Sequence, residues 1–231
     1  MSYPQKDSVV NLDDIVVTAT KTPKRKTNSP ILINIINSDV IRNVQACNLS
    51  QSLSFQTGLR VETDCQTCNY TQLRINGMSG GFTQILINGR PTFSPLMGLY
   101  ALEQLPSNMI EKIEVMKGGG STLYGSSAIG GTVNIITKIP KENNSQIEFT
   151  THLIDQQSND YSVLGNASIV SESKKAGLSL FVNKRDREAY DSNNDRFSEL
   201  PQLNNLSFGA NMYFFCLLYT SPSPRDVEEA R

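Results

Sequence analysis

Residues 110–138 read IEKIEVMKGGGSTLYGSSAIGGTVNIITK. The stretch opens with Ile113 and Val115 alternating with Glu114 and Met116, the period-two pattern of a half-buried strand. Glycines follow at Gly118, Gly119, Gly120, Gly125, Gly130 and Gly131, and the stretch closes on Val133, Ile135 and Ile136, a β-branched run. Two strands joined by a loop this rich in glycine need backbone at positive φ or in close approach to a neighbour. These glycines are therefore expected to form a structural turn in a β-rich domain.

A glycine-rich loop can also cradle phosphate, and that reading fails on its details. Gly120 and Gly125 have the spacing of a phosphate loop, but Ser126 stands where the phosphate-reaching lysine belongs. Gly118 and Gly120 begin a dinucleotide fingerprint that Leu123 then breaks. The next element reads as a strand rather than a helix. A soluble phosphate-loop enzyme is thus the disfavoured alternative.

The same residues resemble a known family. Ile110-Glu111-Lys112-Ile113-Glu114-Val115 before the glycines, Tyr124-Gly125 and Gly130-Gly131 within them, and Asn134-Ile135-Ile136-Thr137-Lys138 after them resemble the plug signature of TonB-dependent outer-membrane receptors. The resemblance implies an α+β plug domain, a small mixed sheet with short helices, followed by antiparallel transmembrane β-barrel strands. It implies no enzyme, no catalytic residue and no cofactor.

Composition bounds the alternatives. The 231 residues carry a net charge of −1 with no basic cluster, which gives no support for nucleic acid as a partner. A single histidine, His152, argues against a histidine-rich zinc site or a Ser-His-Asp triad, and no metal site is expected. No run of about 18 apolar residues is present, so no membrane helix is expected; barrel strands need only about 10 alternating residues each. The first residues, MSYPQKDSVVNLDD, hold no apolar signal segment. Taken alone that points to the cytoplasm; under the resemblance the location is the bacterial outer membrane and the signal peptide is not in this chain. Cys65 and Cys68 form one C-x-x-C without the second pair or histidines of a zinc site. A loop-closing disulfide is the favoured reading in an oxidising compartment, with a metal or redox role as the alternative.

Residues 1–30 are polar and proline- and lysine-bearing apart from DDIVVTAT, so an unpacked segment is expected there. Its β-branched run suits either an ordinary first strand or addition to another protein's sheet edge. The resemblance selects the second: Asp14, Ile15, Val16, Val17, Thr18 and Ala19 look like the TonB box, which pairs with the energy-transducing protein TonB.

The plug is expected over 31–140. Ile31 to Ile36 reads as a strand. Ser38 is expected to cap a helix over 39–46 with Val40, Ile41 and Val44 inward, and Asn48 a second helix with Leu49, Leu53 and Phe55 inward, stopped by Gly58. Asn88-Gly89 between two strands signals a type I′ hairpin. By resemblance, Arg74 and Lys112 seat the plug against barrel glutamates, although lysine lacks the bidentate geometry of arginine. The resemblance also turns the loops holding Asn69, Tyr70, Met78, Phe82, Thr83, Phe93, Ser94 and Met97 toward substrate.

From Ser145 the texture becomes amphipathic. Within each of three runs the apolar residues alternate with polar ones: Ile147, Phe149 and Leu153; Leu178, Leu180 and Val182; and Leu206, Phe208, Met212 and Phe214. Residues 141–215 are thus expected to be the first barrel strands, too few to close a barrel, for which about eight is the minimum. Residues 216–231 break the alternation and read as a non-native or out-of-frame tail. The expected function is TonB-dependent uptake of a scarce nutrient of the ferric siderophore, haem or cobalamin class, a small ligand containing iron or cobalt, with outer-membrane lipid around the strands. Import of oligosaccharide or peptide is the alternative. Neither the added N-terminal domain nor the altered glycine motif of the glycan importers is seen.

Overall fold

The computed structural model describes residues 15–65, 70–91, 102 and 105–215. It holds a plug built on a mixed sheet and a separate wall of four long antiparallel strands. Asp14, Cys68, Asn69, Phe93, Ser94, Met97 and the 216–231 tail lie outside the described residues.

The plug sheet has the order β3(Ile33–Asn37), β8(Ile110–Lys117), β9(Gly131–Thr137), β6(Thr83–Ile87), β7(Arg90–Pro91). All pairs are antiparallel except β6 with β9, where Ile85 lies beside Val133. A separate two-stranded ribbon pairs β4(Leu59–Cys65) with β5(Tyr70–Ile75), and a short one pairs β1(Ile15–Val16) with β2(Lys24–Arg25). Asn88 and Gly89 have φ of 50° and 77°, and Ile87 faces Arg90, the two-residue hairpin expected from that dipeptide.

One face of the sheet carries the apolar core. Ile36, Ile113, Val115, Val133 and Ile135 meet Ile41, Leu49 and Leu53 from the helices α1(Ser38–Asn43) and α2(Leu49–Ser54). Asn48 caps α2 by accepting from the Gln51 N–H, as its sequence predicts. Some expectations for the helices do not hold: Val40, expected inward, is 42 % exposed. Asn37, not Ser38, is the N-cap of α1, and its side chain makes no capping bond. Phe55 is 68 % exposed, because α2 ends at Ser54 and Phe55 is already turning away.

The opposite face differs from the sequence reading more sharply. Glu114 is fully buried, as is Met116, so β8 is not a half-buried strand. The cover on this side is the N-terminal segment, whose Val16 and Ala19 pack on Ile33. Residues 16–19 are therefore packed rather than loose.

The glycine loop performs the turn expected of it. Gly118 and Gly119 have positive φ, and a one-turn helix, Ser121–Tyr124, sits between the strands. Close approach decides two positions. A Cβ on Gly131 would lie 2.5 Å from the Met116 carbonyl oxygen, and one on Gly120 would lie 2.6 Å from the Thr132 hydroxyl.

The wall comprises β10(Asn144–Ile154), β11(Ser158–Val170), β12(Ala176–Arg187) and β13(Leu203–Phe214), paired in sequence order. The expected alternation is present. Ile147, Phe149, Leu153, Ile169, Leu180, Val182, Leu206, Phe208, Met212 and Phe214 are exposed on one face. The other face buries Ser158, Asp160, Ser162, Ser179, Asn183 and Arg185. Tyr213 donates to the Pro140 carbonyl and Asn211 to the Thr137 hydroxyl, tying that polar face to the plug. The described strands form an open sheet, in keeping with an incomplete barrel.

Candidate functional site

A buried polar cluster in the plug is built around Glu114. Its alternation places it on the sheet face away from the helices, opposite Ile35 on β3 and Asn134 on β9. One carboxylate oxygen, Oε2, accepts three hydrogen bonds: from the Val17 N–H at 2.9 Å, the Thr18 N–H at 2.9 Å and the Thr18 hydroxyl at 2.6 Å. Its other oxygen lies 3.0 Å from Lys112 Nζ. A buried carboxylate is tolerated only with such partners.

The surrounding residues grip the same segment. Asn134 Nδ2 donates to the Thr18 hydroxyl at 3.1 Å, and Tyr124 donates from its phenol to the Thr18 carbonyl at 2.8 Å. Lys112 also donates to the Ile15 carbonyl. Asn134 accepts from the Gly89 N–H, which links the β6–β7 turn to the cluster. Lys21 lies 5.2 Å from the centre of the Tyr124 ring.

Two ionisations respond. Burial pushes the Glu114 carboxyl up, but the Thr18 hydroxyl, the Val17 N–H, Lys112 and the Thr18 N–H outweigh it, and the net shift is downward. Glu114 is held ionised. Burial and the Glu114 charge raise the Tyr124 phenol, which stays protonated and donating.

The residues read as the TonB box divide between this cluster and solvent. Val16, Thr18 and Ala19 are buried, Val17 is half-buried and Ile15 is 55 % exposed. The two cations expected to seat the plug have partners within it. Arg74 Nε lies 2.5 Å from Glu62 Oε2, and Lys112 pairs with Glu114. Of the residues expected to face substrate, Met78 and Phe82 are exposed and Tyr70 and Thr83 half-buried. Gly130 donates to the Phe82 carbonyl, so that loop leans on the glycine turn. Cys65 ends β4, and its expected partner lies outside the described residues.

Sequence reading missed Glu114, Asn134 and Tyr124 as a group. The available signal was Met116 sharing a parity with Glu114, an apolar residue on a face taken as solvent-exposed. It also missed a buried pair on the wall, where Arg185 Nε donates to Asp160 Oδ1 at 2.9 Å and Nη2 to Oδ2 at 2.6 Å. Between wall and plug, Cys47 Sγ lies 3.7 Å from His152 Nε2. A cleft of about 550 Å³ opens beside them, with Arg42, Gln45, Lys138, Gln146 and Glu148 in its lining.

A small mixed sheet, covered by its own N-terminal segment and set against apolar-out antiparallel strands, is the architecture of a plugged membrane barrel. The family described as TonB-dependent Receptor Plug Domain matches residues 25–132. It is 27 % identical over 190 residues to the vitamin B12 transporter BtuB of Vibrio cholerae, covering 82 % of this chain and 30 % of that protein. It is 33 % identical over 139 residues to the iron-regulated outer membrane virulence protein of Vibrio cholerae, covering 57 % of this chain and 21 % of that protein. The siderophore receptor PirA of Acinetobacter baumannii superposes with a TM-score of 0.65 at 22 % identity, over 79 % of this chain and 29 % of that one. The chain thus spans under a third of the length of these relatives.

Proposed function

We propose that this chain is the plug and first wall strands of a TonB-dependent outer-membrane transporter that takes up a scarce nutrient of the siderophore, haem or cobalamin class. The observation that carries it is the pairing of two features in one chain. A β-branched segment, 15–19, sits on a plug sheet, and strands of 11 to 13 residues present an apolar face outward. Such strands match the length that crosses a bilayer in a tilted barrel. Their exposed isoleucines, leucines and phenylalanines would meet outer-membrane lipid.

In this reading residues 1–30 carry the TonB box, 31–140 the plug and 141–215 the wall, and 216–231 have no role. TonB would take 14–19 as an added strand. The nutrient would bind where Tyr70, Met78, Phe82 and Thr83 lie, and Asn69, Phe93, Ser94 and Met97 are its further proposed contacts. The relatives named for vitamin B12 and for siderophores support a small chelate over an oligosaccharide. Substrate couples to the box only by binding two plug states with different affinity.

The test is binding of a peptide spanning residues 11–24 to the purified periplasmic domain of TonB. Strand pairing predicts binding that Val16→Pro abolishes by removing a backbone donor. No binding by either peptide counts against energy coupling through this segment.

A further inference from the structure

We infer that Glu114 decides whether segment 15–20 is docked on the plug or free to pair with a partner's strand. The inference rests on the coupling reading above and assigns its control to one side chain.

In an extended strand, successive backbone N–H groups point to opposite edges, and a partner strand can use only alternate ones. Here the N–H groups of Val17 and Thr18 converge on one oxygen, Glu114 Oε2. They can do so because the chain leaves β1 after Val16 and turns through Thr18–Thr20, where the Thr20 N–H donates to the Val17 carbonyl. Two successive donors curled onto one anion form a small anion-binding nest. Residues 17 and 18 cannot hold this shape and also lie extended along another sheet edge. The acceptors are taken as well: Lys112 occupies the Ile15 carbonyl and Tyr124 the Thr18 carbonyl. Docking and strand addition therefore exclude each other.

The position of Glu114 adds a second consequence. It sits on β8, the strand between β3 and β9. A pull on the segment is delivered through Oε2 to an interior strand of the plug sheet rather than to its edge. Apolar contact helps docking, since Val16 and Ala19 rest on Ile33, but such contact tolerates an extended segment equally well. The carboxylate, by contrast, takes both N–H groups on one oxygen, which an extended segment cannot offer.

The experiment is amide hydrogen exchange on the full chain in detergent, comparing the parent with Glu114→Ala. Exchange at Val17 and Thr18 is expected to speed by about tenfold or more, the factor carried by one hydrogen bond to a charged group. The amides of Ile113, Val115 and Val133 report whether the sheet survives. If it does not, Thr18→Val keeps the carboxylate and removes only the hydroxyl, and it should accelerate the same two amides by a smaller factor. Unchanged exchange at Val17 and Thr18 over an intact sheet overturns the inference, leaving apolar packing as the docking force. A second arm measures capture of the full chain by the periplasmic domain of TonB. Tighter capture of Glu114→Ala supports mutual exclusion, and equal capture of parent and variant overturns it. The exchange arm needs no partner, so its outcome stands even where the coupling reading fails.

Discussion

The plug sheet and the wall sheet use similar residues to opposite ends. In the plug, Ile113, Val115, Val133 and Ile135 point into a core closed by two helices, and β8 is covered on both faces. In the wall, Ile147, Phe149, Phe208 and Phe214 point outward, while the buried side holds serine, asparagine and an Asp–Arg pair. Both sheets follow one rule, which is that apolar groups leave water. The plug satisfies it with its own chain. The wall leaves its apolar side chains exposed and turns its polar face toward the plug.

Substitutions can break or sharpen that contrast. The largest effect is expected at Asp160→Ala, which leaves Arg185 buried without its carboxylate; such a loss costs about 3–5 kcal/mol. Denaturant unfolding in detergent followed on the wall strands would read it, and an unchanged midpoint would mean that the polar face is wetter than its burial indicates. Ile113→Ala should cost the plug about 2–5 kcal/mol through lost packing and a residual cavity, with little change in the wall. Phe208→Arg should reverse that pattern. It would leave plug exchange unchanged yet oppose insertion by about 2–4 kcal/mol if Phe208 sits near the bilayer centre, read by partitioning between lipid vesicles and urea. Equal partitioning of variant and parent would break the lipid-facing assignment. Asn48→Ala removes the α2 cap and should cost about 1 kcal/mol of plug stability, measurable as a lower midpoint.

The mildest perturbation is acid. The Glu114 carboxyl is depressed below its ordinary value of 4.5, so its contribution is complete above that pH and is lost as pH falls through the lower folded value. Exchange at Val17 and Thr18 should hold level between about pH 8 and pH 6, after correction for intrinsic rates, and the docking should loosen only below the glutamate range. Loosening near neutrality would contradict a carboxylate stabilised by its donors.

Local chemistry was the legible part of the sequence. The Asn88-Gly89 turn, the Asn48 cap, the glycine loop and the wall alternation each depend on a few neighbouring residues, and each is present. What depends on distant pairing was not readable. Nothing near Thr83 announces that β6 runs parallel to β9, nor does anything near Glu114 announce that residues 15–20 will cover it. Lysines and prolines around the segment argued for a loose tail. A buried carboxylate needing donors overrode them, and that need is visible only once β8 is placed between β3 and β9.

The strand order also sets a timetable. β8 pairs on one side with β3, far earlier in the chain, and on the other with β9 across the glycine loop, while β6 waits for β9 to lie parallel beside it. Only the β8–β9 and β6–β7 pairings are local, and sheets dominated by distant pairings fold slowly because loop closure precedes any reward. A ribosome or a translocation channel delivering this chain from its N-terminus would have released residues through Thr137 before the plug sheet could close. The plug is thus the kind of domain that stays threadable for most of its own synthesis.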